Sequence, residues 1–239
     1  MVGHQVLVLS IEVRILVPQQ SYEMTMSPKF GKILPDVNCP SYNVIIMTKY
    51  ILHGGYTSTD NELNRTFYEE IARDVPDKST ILLCYFATSG EDNSLRFKQD
   101  SDRIKAQSHG KNFTFLFANE KDFIEQLKQS NALYMRGGST PKLLGILQKY
   151  DDLRENLEGK TIAGSSAGAY VIGKYSAFHD DESGGKVREG LGLLPLRVVT
   201  HYESRDMPPN PEALAFLINT APEIEIVMLR DFEWKVFVV

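Results

Sequence analysis

Gly164-Ser165-Ser166-Ala167-Gly168-Ala169 is the stretch from which the fold of this chain can be read. A short apolar run, Thr161-Ile162-Ala163, leads into it, and small and apolar residues follow from Ala167 to Ile172. That succession spells strand, sharp turn, helix. Gly164 and Gly168 stand two residues either side of Ser166, which gives the G-x-S-x-G spacing of a nucleophile elbow. The central residue of such a turn takes a strained backbone conformation, so its neighbours must be small. The turn lifts the hydroxyl off the sheet, and the free N–H groups of the next helix point at any oxyanion formed there. The same residues would also suit a plain turn where a helix packs closely on a strand, so the rest of the chain has to decide.

Working outward, strands and helices alternate. Thr48 to Gly55 predicts a first strand, and Asn61 to Val75 a helix with Leu63, Phe67, Ile71 and Val75 on one face. Thr80 to Phe86 is a continuous apolar run of the kind found in strands buried on both faces. Ser94 to Ser108 reads as a polar helix with few anchors, Asn112 to Phe117 as a strand, and Lys121 to Gln129 as a short helix. Ala132 to Met135 is a further strand ending at Arg136-Gly137-Gly138-Ser139-Thr140-Pro141, with helices expected at Lys142 to Tyr150 and Leu153 to Leu157.

After the elbow, Tyr175 to Gly190 reads as a loop or hairpin. Arg197 to Tyr202 reads as a strand ending in His201, and Pro208 to Thr220 as a helix with Leu214, Leu217 and Ile218 inward. Glu223 to Leu229 and Trp234 to Val239 would be two strands forming a hairpin. The alternation predicts an α/β fold of three layers: a doubly wound, mostly parallel sheet with helices on both faces. Ligands in such sheets sit beyond the carboxyl ends of the strands, where the turns at 137–138 and 164–168 both fall.

Residues 1–46 differ. Pro18, Pro28, Pro35 and Pro40 are scattered through a stretch without periodicity, so we expect an N-terminal extension, poorly ordered or loosely attached, before a domain at 47–239. The apolar run Val6 to Val17 is interrupted by Glu12 and Arg14 and shows no cleavage site, which argues against a secretion signal. No run is long enough to cross a bilayer. A net charge of −5 without a basic run offers no footprint for nucleic acid. The two cysteines, Cys39 and Cys84, make neither a disulfide framework nor a metal cluster; a cytoplasmic location without metal or cofactor is the expectation.

A serine hydroxyl needs a base, and the base an orienting carboxylate. Of the five histidines, His4, His53, His109, His179 and His201, the last is placed best, at a strand end downstream of Ser166. Asp231 is one candidate acid; Asp180, Asp181 and Glu203 are rivals.

Taken together, Gly164 to Ala169, the Gly137-Gly138-Ser139-Thr140 turn followed by Leu143-Leu144, and Thr200-His201-Tyr202 resemble the peptidase E (aspartyl dipeptidase) and cyanophycinase family of serine peptidases, over roughly residues 47–239. The resemblance implies a class I glutamine amidotransferase-like, flavodoxin-like fold. It also implies Ser166 as nucleophile, His201 as base and Asp231 as acid, with Asp181 the alternative. Gly138 and Ala167 would form the oxyanion hole. The family turn usually reads Gly-Gly-Asn-Thr, whereas Ser139 replaces the asparagine here. Ser139, Thr140 and Arg205 are the substrate-binding candidates, with Arg136, Lys174 and Arg188 as further cations for an acidic side chain. The implied substrate is a small peptide, with Asp at its N-terminus in peptidase E itself. A catalytically silent binding module and an esterase of related geometry are the other readings.

Overall fold

A computed structural model describes residues 14–15, 47–90, 92–177 and 187–239. In chain order the strands are β1 (Arg14–Ile15), β2 (Lys49–His53), β3 (Thr80–Cys84), β4 (Thr114–Phe117), β5 (Ala132–Met135), β6 (Thr161–Ser165), β7 (Tyr175–Ser176), β8 (Arg188–Glu189), β9 (Leu196–Val199), β10 (Glu225–Met228) and β11 (Trp234–Val238). The helices are α1 (Glu62–Arg73), α2 (Asn93–Ala106), α3 (Phe123–Lys128), α4 (Thr140–Leu147), α5 (Leu153–Leu157), α6 (Ala167–Ile172) and α7 (Pro211–Asn219). Helix α4 starts two residues before the expected Lys142, because Ser139 caps it and Pro141 suits its first turn.

The main sheet has the order β1-β11-β2-β6-β5-β3-β4. Strands β2 to β6 are mutually parallel, and β11 runs antiparallel to β2. Successive side chains of a strand point to opposite faces, and the two cores follow from that alternation. Ile51, Ile81, Leu83, Tyr134 and Ala163 pack with Phe67 and Ile71 of α1 and Ile104 of α2. Their strand neighbours Leu52, Leu82, Cys84, Leu133, Met135 and Ile162 pack on the other face with Phe123 of α3, Leu143 and Leu147 of α4, Leu157 of α5 and Ala169 of α6. The three-layer α/β fold is therefore present as expected. Burial in this core pushes the Cys84 thiol up to about 12, so it stays protonated.

Helix α2 has few apolar anchors, yet it is held from its polar side. Its Asp100 is fully buried and accepts hydrogen bonds from Tyr68 Oη (2.9 Å), Tyr85 Oη (3.0 Å) and Arg136 Nη1 (2.8 Å).

Two expectations for the C-terminal third are corrected. The last two strands do not form a hairpin: β10 runs parallel to β9 in a second sheet of order β10-β9-β7-β8, whereas β11 enters the main sheet. The strands separate because their apolar faces serve different cores. Both strands reach the α3–α6 core, through Val227 of β10 and Phe237 of β11, but the other face of β10 packs Ile226 and Met228 with α7, whereas that of β11 packs Trp234, Val236 and Val238 on the α1–α2 side. Ile218 is not inward but 47% exposed. Helix α7 buries the stripe Ala213 and Leu217, one turn apart, against Val199, and Ile218 is rotated away from it. The buried guanidinium of Arg197 closes that helix by donating to the carbonyls of Leu217 (3.2 Å) and Ile218 (2.7 Å). Among the described residues no helix is long and apolar enough to cross a membrane.

Candidate active site

Strand register brings the site together. His53 of β2 lies beside Ser165 of β6, and Gly164 lies beside Met135 of β5. Three neighbouring carboxyl ends are thus nearly level, and the turns that follow them crowd onto one edge. Ser166 caps α6 with φ 50° and ψ −108°, an outlying conformation for a residue bearing a Cβ, of a kind that costs about 1–3 kcal/mol and persists only when its surroundings over-determine it. The surroundings do so here. A Cβ on Gly164 would stand 2.4 Å from the carbonyl carbon of Gly168, and one on Gly168 would meet the Met135 carbonyl oxygen at 2.2 Å, so α6 can approach β6 and β5 only because both positions are glycine.

His201 lies two residues beyond β9, in a turn where it has φ 55°. Its Nε2 is 3.0 Å from Ser166 Oγ, and its Nδ1 is 2.7 Å from Asp231 Oδ1. The carboxylate accepts the Nδ1 proton, which leaves the Nε2 lone pair facing the hydroxyl. His201 is buried, while Asp231 is partly open to solvent.

The end of β2 sets these positions. Three consecutive carbonyls receive amides from the three arms of the site: His53 from Ser166 (3.0 Å), Gly54 from His201 (3.1 Å), and Gly55 from Phe232, next to Asp231 (3.3 Å). The bend itself is fixed by the His53 ring, which accepts the Gly55 amide at Nδ1 (2.9 Å) and lies 2.9 Å from Asn64 Oδ1 through Nε2. Asn64 in turn donates to the carbonyls of Tyr56 (3.0 Å) and Thr59 (2.6 Å). Complete burial lowers the His53 pKa to about 3, against the opposing effect of the Asn64 hydrogen bond, so this ring is neutral. In the sequence His53 was weighed only as a possible base, and Asn64 and the paired glycines were not singled out, although a Gly-Gly pair after a buried strand also marks the 137–138 turn.

That second turn lies against Ser166: a Cβ built on Gly137 would be 3.0 Å from Ser166 Cβ. The Gly137 amide donates to Ser165 Oγ (3.1 Å), and the Ser139 amide to the Ala87 carbonyl (2.8 Å). The amides of Gly138 and Ala167 donate to no acceptor among the described residues. Ser165 Oγ is also 3.3 Å from Tyr134 Oη, whose pKa burial pushes up to about 12. Ser139 Oγ is directed to the Lys142 amide at the start of α4, and Thr140 is buried in its first turn.

The other sequence candidates are dispersed. Asp180, Asp181 and His179 lie outside the described residues, as do His4 and Cys39. Glu203 pairs with Arg230 (2.6 Å), and the Arg136 guanidinium with Asp100 (2.8 Å). Lys174 rests over the Tyr175 ring, and Arg188 is half-buried on β8. Arg205 is exposed in the bend after His201. Among the described residues no three His, Cys, Asp or Glu side chains gather as a metal site would need.

Residues 51–237 match the model of a family described as peptidase family S51. Among solved structures, a peptidase from an acI-B1 Actinobacterium superposes with a TM-score of 0.58 at 21% identity, covering 80% of this chain and 84% of that one. A protein from Listeria monocytogenes EGD-e, described as a candidate peptidase E, gives a TM-score of 0.56 at 15% identity, covering 81% of this chain and 98% of that one. These likenesses are to the fold. No curated protein matches the chain in sequence.

Proposed function

The chain belongs to peptidase family S51, and from that premise we propose that it is a serine peptidase hydrolysing small peptides through an acyl-enzyme on Ser166. The observation that carries the reading is the unbroken relay Ser166–His201–Asp231, with separations of 3.0 and 2.7 Å.

In the proposed reaction Ser166 Oγ attacks the scissile carbonyl carbon while its proton passes to His201 Nε2. Asp231 holds the imidazole in the receptive tautomer and stabilises the imidazolium. The carbonyl oxygen becomes an oxyanion facing the unengaged amides of Gly138 and Ala167; one such donor is worth roughly 10²–10³ in rate. His201 then gives its proton to the leaving amine as the C–N bond breaks. A water molecule repeats the sequence on the ester, releasing the acid and restoring Ser166. Because Ser139 is occupied in capping α4, the oxyanion donors on this side are backbone groups, which the absent family asparagine leaves unaltered. An N-terminal Asp would need a cation at the acyl side. Arg136 is engaged by Asp100, so Arg205 is the first residue to test for an Asp-X preference.

Two measurements test this. A fluorophosphonate probe should label the wild-type protein and leave Ser166→Ala unlabelled, since only an activated hydroxyl reacts readily. A dipeptide library should show hydrolysis that Ser166→Ala abolishes. An unlabelled, inert wild type would favour a silent binding module instead.

A further inference from the structure

On the reading of Ser166 and His201 as nucleophile and base, we propose that Tyr56 and Phe232 form the wall receiving the residue on the leaving side of the cleaved bond, and that the enzyme prefers an aromatic or large apolar residue there.

The argument starts from strain. Tyr56 has φ 58° and Phe232 has φ 70°. Left-handed backbone is uncommon for residues with a Cβ and a genuine outlier for bulky ones. Glycine or asparagine would sit in either position with less strain, yet the chain places an aromatic ring at both. Neither ring is core: both are only half-buried. They face each other at 6.1 Å between centroids, and Tyr56 meets the His201 ring edge-on at 5.1 Å. The Phe232 amide on the Gly55 carbonyl joins the two turns (3.3 Å).

Reaction geometry says what passes beside them. The nitrogen that takes the Ser166 proton must return it to the leaving amine, so the leaving residue lies on the His201 side of the nucleophile. The acyl residue and its oxyanion lie toward the Gly137–Gly138 turn. A side chain carried by that amine therefore meets the surface flanking His201. The cation nearest Phe232 along the chain, Arg230, is already paired with Glu203 (2.6 Å) and Glu233 (3.5 Å). What the two rings present to the substrate is aromatic surface, which rewards a flat or large apolar partner and offers no ion pair to a charged one.

The test uses the full chain and dipeptides that share whichever acyl residue is cleaved best, varied at the second position through Phe, Leu, Gly, Lys and Asp. We expect kcat/KM for Phe and Leu to exceed that for Gly, Lys and Asp by ~10-fold or more. Tyr56→Asn and Phe232→Asn keep a residue at home in left-handed backbone. Each should cut the Phe and Leu rates ~10-fold while leaving Gly within ~3-fold, with an unchanged pH profile. Equal turnover of all second residues by the wild type overturns the inference and leaves the peptidase reading standing. So does an equal loss on every substrate in the variants, which would assign the rings to shielding His201. No turnover of any dipeptide removes both.

Discussion

A Cβ atom on Gly55 would stand 2.0 Å from Cε1 of His201, so the end of β2 and the imidazole occupy one space that only a glycine can share. Gly55 also has φ 127°, a conformation that alanine adopts only under strain. Gly55→Ala must push the ring away from Ser166, and a displacement of 1 Å costs about 100-fold in rate. We expect kcat/KM on the best dipeptide to fall by at least that factor. A variant with near wild-type activity would mean the imidazole position is not critical.

Asp231→Asn removes the acceptor that holds the His201 Nδ1 proton, at 2.7 Å. The amide can donate to Nδ1 instead, which puts the proton on Nε2, the wrong nitrogen for accepting from Ser166. Loss of the correct tautomer costs about 10⁴ in kcat where such triads have been dissected. Steady-state kinetics should show that loss with little change in KM. If Asp231→Asn retains more than a tenth of the activity, the orienting carboxylate is another residue, and Asp181 is the next to replace.

His53 links the same bend to pH. Its folded pKa is about 3, below the ordinary histidine value of 6.5. Between those values the unfolded chain binds a proton that the folded chain refuses, so stability falls as pH drops. The His53 contribution is complete above pH 6.5 and is lost on the way to about pH 3, at about 1.4 kcal/mol per pH unit. Urea denaturation of wild type and His53→Asn at pH 7, 5.5 and 4.5 isolates it: the stability gap should narrow as pH falls. A gap independent of pH would show that the ring is not held neutral.

Asp100→Asn tests the buried network behind the Gly137–Gly138 turn. The substitution leaves the Arg136 guanidinium facing a neutral amide in a site where its partner is fully buried. Breaking such a pair costs about 3–5 kcal/mol. Chemical denaturation should show a loss of that order. Activity should drop as well, because Arg136 leads directly into the turn that faces Ser166. A variant as stable as wild type would mean water has replaced the carboxylate.

Local periodicity was enough for most of the fold. The apolar run at β3, the four-residue spacing of Phe67 and Ile71 in α1, and the small residues of the 164–169 elbow each state their structure within a dozen positions. The G-x-S-x-G spacing likewise announced Ser166 and strand-end position pointed to His201, whereas Asp231 was one candidate acid among several until the structure placed it, like Ser166, within hydrogen-bond distance of His201. The second sheet was not legible. Whether β10 pairs with β11 or with β9 depends on which core each strand's apolar face meets, and an isolated strand does not carry that information.

What the sequence determined by itself, then, is what backbone stereochemistry and short-range patterning decide: the alternation of strands and helices, the strained serine, and the glycine turns at strand ends. Only the tertiary structure decided which groups meet. His53, Asn64 and Asp100 read as ordinary polar residues along the chain, and became neutral imidazole, bend-fixing amide and buried carboxylate once packing removed water from around them. Tyr56 and Phe232, 176 positions apart, face one another across the site because strand register folds both turns onto one edge. Desolvation and long-range register are properties of the folded molecule, and the chemistry proposed for Ser166 rests on both.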